Sequence, residues 1–297
     1  MKGMTPMKTS TPSKQTSGQE TKYRRLVEDA AKKAVDLVLA KNELDQDAFQ
    51  RLLENGNELC STITETIIDK TRELSLSDQF ADEEVSSTWT YPKEYKGPKP
   101  IEGQIKALAT IFNIDPAQAL AYAKNLPQLP EGAEGWFAIL SPSALFSEVK
   151  DPAERYCRSV QLAHEKIKAS RAFYNYREGQ IDKKHLRVHA RTAQMLGQLA
   201  ETQQGPILIV AGQLGMLHRG QSTRRAREVF KPNEFGLGSL AGCSIVLVHP
   251  ERLVRYEELD MDLPGDEFDH PDGEAPFVLA PYLFCCDGRV YFDTEHV

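Results

Sequence analysis

The chain has 297 residues, with 36 Lys and Arg against 43 Asp and Glu, a formal net charge of −7. That length fits one large domain or two modest ones, and 40% hydrophobic with 27% charged residues excludes wholesale disorder and fibrous classes. No apolar run approaches the roughly 18 residues of a membrane span, and five cysteines without regular spacing, behind a start lacking an apolar core, point to a cytoplasmic protein.

Residues 1–22 read as a disordered basic tail, with Lys2, Lys8, Lys14 and Lys22 against Glu20 and too few apolar groups to offset ordering entropy. From Tyr23 to about Val85 the pattern turns helical. Leu26, Ala30, Ala34, Leu37 and Val38 recur at three- and four-residue steps, and Phe49, Leu52, Leu59, Ile63 and Ile67 continue them after a break near Asn42–Gln46. This region holds 8 basic and 15 acidic residues, so its outer face is expected to be acidic and a poor surface for nucleic acid.

Residues 86–100, rich in proline and without a period, read as an extended connector, and the main domain boundary is expected there. Residues 101–204 read as a second helical layer. Ile105, Leu108 and Phe112 mark one helix, Asp115-Pro116 starts another, Asp151-Pro152 starts a third, and Asp182 caps a fourth through Leu186 and Leu196. The helix–turn–helix at 101–126 carries only Lys124 in its second half, so an ordinary helical hairpin fits better than a DNA reader.

After Gly205 the texture becomes β-rich. PILIVAGQ and CSIVLVHP read as buried strands, QSTRRAREVF at 221–230 as a short helix, and APYLFCCDGRVYF as a hairpin about Asp287-Gly288. The expected fold class is therefore α+β, with helical layers followed by a small mixed α/β domain at 205–297.

The chemistry concentrates in GMLHRGQS at 215–222, a glycine-flanked loop between a strand and a helix. It has the spacing of a nucleotide-triphosphate loop, but Gln221 stands where the lysine belongs, so a triphosphatase is set aside. A glycine turn opening a helix still offers N–H groups to an anion. Gly215, His218, Arg219, Gly220, Ser222, Arg224, Arg225 and Arg227 are the candidate phosphate ligands, within a 216–231 segment of net charge +4. The expected partner is nucleic acid or a phosphorylated small molecule, with no membrane, no cofactor and no metal. The competing reading pairs these arginines with the acidic run at 260–274 inside the same domain.

Other constellations are weaker. Asp260, Asp262 and Gly265 fit a calcium loop in part, but Pro264 and Pro271 stand at ligand positions, leaving only a loose carboxylate group of Asp266, Glu267 and Asp269. His185 and His189 sit four apart on an expected helix without the glutamate of a metalloprotease. Cys243, Cys285 and Cys286 read as buried small hydrophobes on strands. Phe173, Tyr174 and Tyr176 beside Arg171 and Arg177 could stack bases, but fit better as the end of a helix closed by Gly179.

FYNYREGQ, the run at 218–227, NEFGLG at 233–238 and LPEGAEGWFAI at 129–139 together resemble segments of an uncharacterised family of bacterial proteins, over roughly residues 90–297. The resemblance implies a bacterial cytoplasmic origin and carries no fold, ligand or site residue. Two further function classes stand beside anion binding. One is an enzyme whose site lies between His218, Arg224, Arg227 and the 260–274 carboxylates. The other is an adaptor or assembly protein working through its acidic helices.

Overall fold

The structure, a computed structural model, describes residues 16–41, 44–270 and 276–296. The chain divides into two compact units between Ser75 and Leu76. The first is all helix: α1 (Ser17–Lys41), α2 (Gln46–Glu54) and α3 (Gly56–Glu73). Asp45 caps α2 by accepting a hydrogen bond from the Ala48 N–H at 2.7 Å. Neither α1 nor α2 has a buried residue. Residues 17–22, expected in the tail, are the first turns of α1; residues 1–15 of that tail lie outside the described residues.

The second unit is α+β. Its helices are α4 (Ile101–Phe112), α5 (Ala117–Tyr122), α6 (Pro152–Ser170), α7 (Ala190–Gln203), α8 (Thr223–Val229) and α9 (Ser239–Val248). Two strands, β1 (Gly135–Leu140) and β4 (Ile207–Gly212), form an antiparallel ribbon in the register Ala138 to Ile209. The larger sheet runs β2 (Phe173–Asn175), β8 (Arg289–His296), β7 (Leu279–Cys286), β6 (Asp266–Phe268) and β3 (Leu186–Val188), with β5 (Met261–Asp262) also on β7. No described helix is long and apolar enough to cross a membrane.

Several expectations need correction. The stretch 86–100 is not a boundary: it lies inside the second unit, where Tyr95 is buried and Tyr91 meets it edge-on at 5.3 Å. The division between 101–204 and 205–297 also fails, because β1 pairs with β4, β2 with β8 and β3 with β6 across it. FYN at 173–175 is a strand, not a helix end, and GWFAIL at 135–140 is a strand inside the stretch read as helical. Asp182 opens a turn into β3, while α7 begins only at Ala190.

CSIVLVHP is helical in the structure: it is most of α9, buried at every position except Leu247. A ten-residue apolar run suits a buried helix as well as a strand, so periodicity cannot decide between them. The capping decides. The Ser239 N–H donates to the buried Asp266 carboxylate at 2.6 Å, and the Leu240 N–H donates to the Tyr156 hydroxyl at 3.3 Å. Tyr156 in turn donates to Asp266 at 2.8 Å. Gly236, Gly238 and Gly265 let these two backbone stretches cross; a Cβ on Gly238 would collide with Asp266 and Tyr156.

The ribbon would leave two raw edges, and a glutamine covers part of each. On the β1 side Gln104 donates to the Trp136 carbonyl at 2.9 Å and accepts from the Ala138 N–H at 3.0 Å. On the β4 side Gln203 donates to the Ile209 carbonyl at 2.8 Å and accepts from its N–H at 2.7 Å. Both side chains are buried, each standing in for a missing strand.

Candidate functional site

The loop that opens the candidate segment forms a cradle of N–H groups, and protein oxygens already fill it. Leu214 and Met216 donate to the Tyr91 hydroxyl at 3.0 and 3.3 Å, while Gly215 and Leu217 donate to the Gln213 side-chain oxygen at 2.7 and 3.1 Å. The Tyr91 hydroxyl itself donates to Glu134. The fully buried Arg252 guanidinium lies over the Tyr91 ring and donates to the Leu214 carbonyl at 2.8 Å, pinning the loop from beneath.

Beyond the loop, the backbone of Glu83–Val85 runs along Gly220–Ser222. Val85 donates to the Gly220 carbonyl at 2.7 Å, and Glu84 and Gln221 form a β-bridge. Gly220 sits at φ +80°, with the Val85 carbonyl where a Cβ would stand, so both conformation and space demand glycine.

This bridge carries three carboxylates onto α8. Ser222 caps α8 by accepting from the Arg225 N–H at 3.0 Å, and its hydroxyl donates to Glu83 at 2.5 Å. Arg224 donates to the other oxygen of Glu83. Arg225 reaches Glu84 at 2.7 Å, Asp78 at 2.8 Å and Glu228 at 3.0 Å. The anion at the start of α8 is thus the protein's own Glu83.

Internal pairing is therefore real, and among the described residues the ion pairs of Arg224 and Arg225 go to the acidic stretch 78–84 and to Glu228. Arg227 does reach 260–274, yet it donates there only to backbone carbonyls, of Pro264 at 2.9 Å and Asp266 at 2.7 Å. Arg219 donates to the Trp89 carbonyl at 2.8 Å. His218 bonds Gln221 at 2.9 Å and packs edge-on to Phe230, away from the acidic run.

A cleft of about 500 Å³ opens on the other side of α8, a volume that suits a small molecule. Arg224, Arg227 and Glu228 of α8 line it, with His189 and Arg191 from the start of α7, Glu267 of β6, and the rings of Phe80 and Phe277. Glu228 is held by Arg225, Glu267 by Arg187 at 2.7 Å, and Arg224 by Glu83. Arg191 and Arg227 form no ion pair among the described contacts; Arg191 donates to the Lys231 carbonyl. Two guanidinium groups thus line the cleft outside any ion pair among the described residues.

Burial lowers the pKa of both Arg191 and Arg227, but a guanidinium is so strong a base that both stay charged at neutral pH. Burial, and then the Arg227 charge, hold the His189 imidazole below its ordinary value, so it is neutral near pH 7. His189 is also the N-cap residue of the 14-residue α7, and no side chain caps that end. The Arg224 Nε–H is buried without a partner.

The remaining sequence candidates separate. His185 and His189 share no helix: His185 bonds Asp182 in a turn at 2.9 Å, and β3 intervenes. Asp266 points inward and Glu267 outward, as strand alternation requires, so they do not converge on a cation. No group of three or more His, Cys, Asp or Glu placed to hold a metal ion occurs among the described residues. Cys243 is buried on α9 rather than on a strand, while Cys285 and Cys286 lie on β7 as expected, buried and half-buried.

Sequence reasoning took up His189 only as one half of a histidine pair, and Arg191 stands two residues beyond it. They reach α8 through the β3–β6 pairing, whose short strands lack a sequence signal. Searches of protein-family models, curated proteins and solved structures found no match to this chain.

Proposed function

We propose that the protein binds a phosphate-bearing small molecule in the cleft between α7 and α8. One observation carries the reading: among the described residues Arg191 and Arg227 line the same cleft and form no ion pair, their donors going to backbone carbonyls. Guanidinium forks suit phosphate oxygens, and the uncapped start of α7 adds a favourable dipole. Phe80 and Phe277 offer apolar walls to the rest of the ligand.

A small molecule fits better than nucleic acid. Two guanidinium groups contact few phosphates, whereas tight backbone binding draws on many contacts and the release of their counterions. The enzyme reading is the second one, and it rests on His189 and Glu267 lining this cleft. A neutral imidazole can accept a proton from a bound hydroxyl or water.

Calorimetric titration with inorganic phosphate, pyrophosphate and a nucleoside diphosphate at fixed ionic strength tests the reading. Saturable binding is expected, weakened about 10- to 100-fold by Arg191→Gln, the loss of one charge-assisted contact worth about 1.5–3 kcal/mol. Arg191 is the informative position because, among the described residues, its guanidinium meets the Lys231 carbonyl and the Phe230 ring and forms no ion pair. No heat from any of the three anions would end the proposal.

A further inference from the structure

The first unit is built of helices that bury almost nothing of themselves. Along the 25 residues of α1 only Val27 escapes full exposure; Leu26 is 68% and Leu37 57% exposed. On α3, Leu59 and Ile63 are each 44% exposed. Leu26 and Leu37 lie eleven residues apart, three turns, and so on one face; Leu59 and Ile63 share a face one turn apart. Isolated helices are marginal in water, and a helix with a wet apolar stripe is one waiting for another surface.

The charges say what that surface is. α1 carries six Lys and Arg against four Asp and Glu, and α3 two against four, so the helices are +2 and −2. They meet where the Tyr23 and Thr71 hydroxyls hydrogen-bond at 2.6 Å. We propose that this unit pairs with a second copy of the chain, α1 of each packing against α3 of the other. A two-fold axis makes such a surface self-complementary. Round the resulting helix bundle every neighbouring pair is opposite in sign, whereas α1 on α1 or α3 on α3 would set like charges together. An anionic lipid surface would attract α1 and repel α3, and a partner of a single sign would suit only one of the two.

The test is the solution mass of the full chain by light scattering and sedimentation across the micromolar range. A dimer is expected, with salt weakening it and Leu37→Asp or Ile63→Asp each raising its dissociation constant at least about 100-fold. The near-ultraviolet signal of Trp89 and Trp136, both in the second unit, verifies that each variant keeps that unit folded. A monomer throughout the range overturns the proposal. So does a dimer that survives both substitutions, because its interface would then lie elsewhere, and so does binding to anionic vesicles that leaves the chain monomeric.

Discussion

Glu228 and Asp266 are displaced in opposite directions, for reasons visible in their surroundings. Desolvation works against ionisation of Glu228, but donors from Ser77, the Gln79 N–H, Arg225 and the Phe80 N–H outweigh it and hold its pKa at about 2. Burial pushes Asp266 up to about 6, against the hydrogen bonds from Ser239 and Tyr156 and the charge of Arg227. The depressed group stabilises the fold fully above the ordinary glutamate value, and that share is lost as pH falls from about 4.5 toward 2. The raised group works in the other sense. Between about 4 and 6 the folded state keeps a proton that the unfolded chain has released, so stability declines as pH rises through that window. Urea unfolding from pH 2 to 7 should therefore show Glu228→Gln flattening the acid limb alone and Asp266→Asn flattening the limb between about 4 and 6. A simultaneous replacement of Arg224, Arg225 and Arg227 would be no test of binding. It would strip partners from Glu83, Asp78, Glu84 and Glu228 at once and read out folding.

Elements that bury one face, or that carry turn chemistry, could be read directly from the residues. The stripes of α4 and α6, the apolar run of β4 and the Asp287-Gly288 hairpin are examples. What could not be read was decided at a distance. α9 is a helix because Asp266 and Tyr156, far away in the chain, accept its first N–H groups, and β1 lies among helices because β4 supplies its partner. The basic segment was recognisable, but its neutralisation was not, since Asp78 to Glu84 lies some 140 residues earlier. The two glutamines belong to this long-range class. Gln203→Leu should remove both partners of the buried Ile209 backbone and cost about 2–4 kcal/mol, with faster amide exchange at Ile209. An equally stable variant with unchanged exchange would show that β4 does not depend on this side chain.

Across the whole chain, acidic and basic residues are distributed by role. The excess negative charge of residues 23–85 sits largely in 73–84, and within it Asp78, Glu83 and Glu84 pair with Arg224 and Arg225 of α8, leaving α1 and α3 nearly balanced against each other. Outside those ion pairs stand Arg191 and Arg227 at the cleft, with the His189 imidazole beside them as a reporter. A bound anion favours the imidazolium, so it must raise the His189 pKa, and by linkage the anion binds more tightly as pH falls. The direct measurement is an NMR pH titration of the His189 ring in phosphate and in chloride at equal ionic strength, assigned with His189→Gln. The arrangement predicts a pKa below the ordinary histidine value in chloride and a clear rise in phosphate, with the other histidines unmoved. The same His189 titration in both salts would contradict an anion site in this cleft.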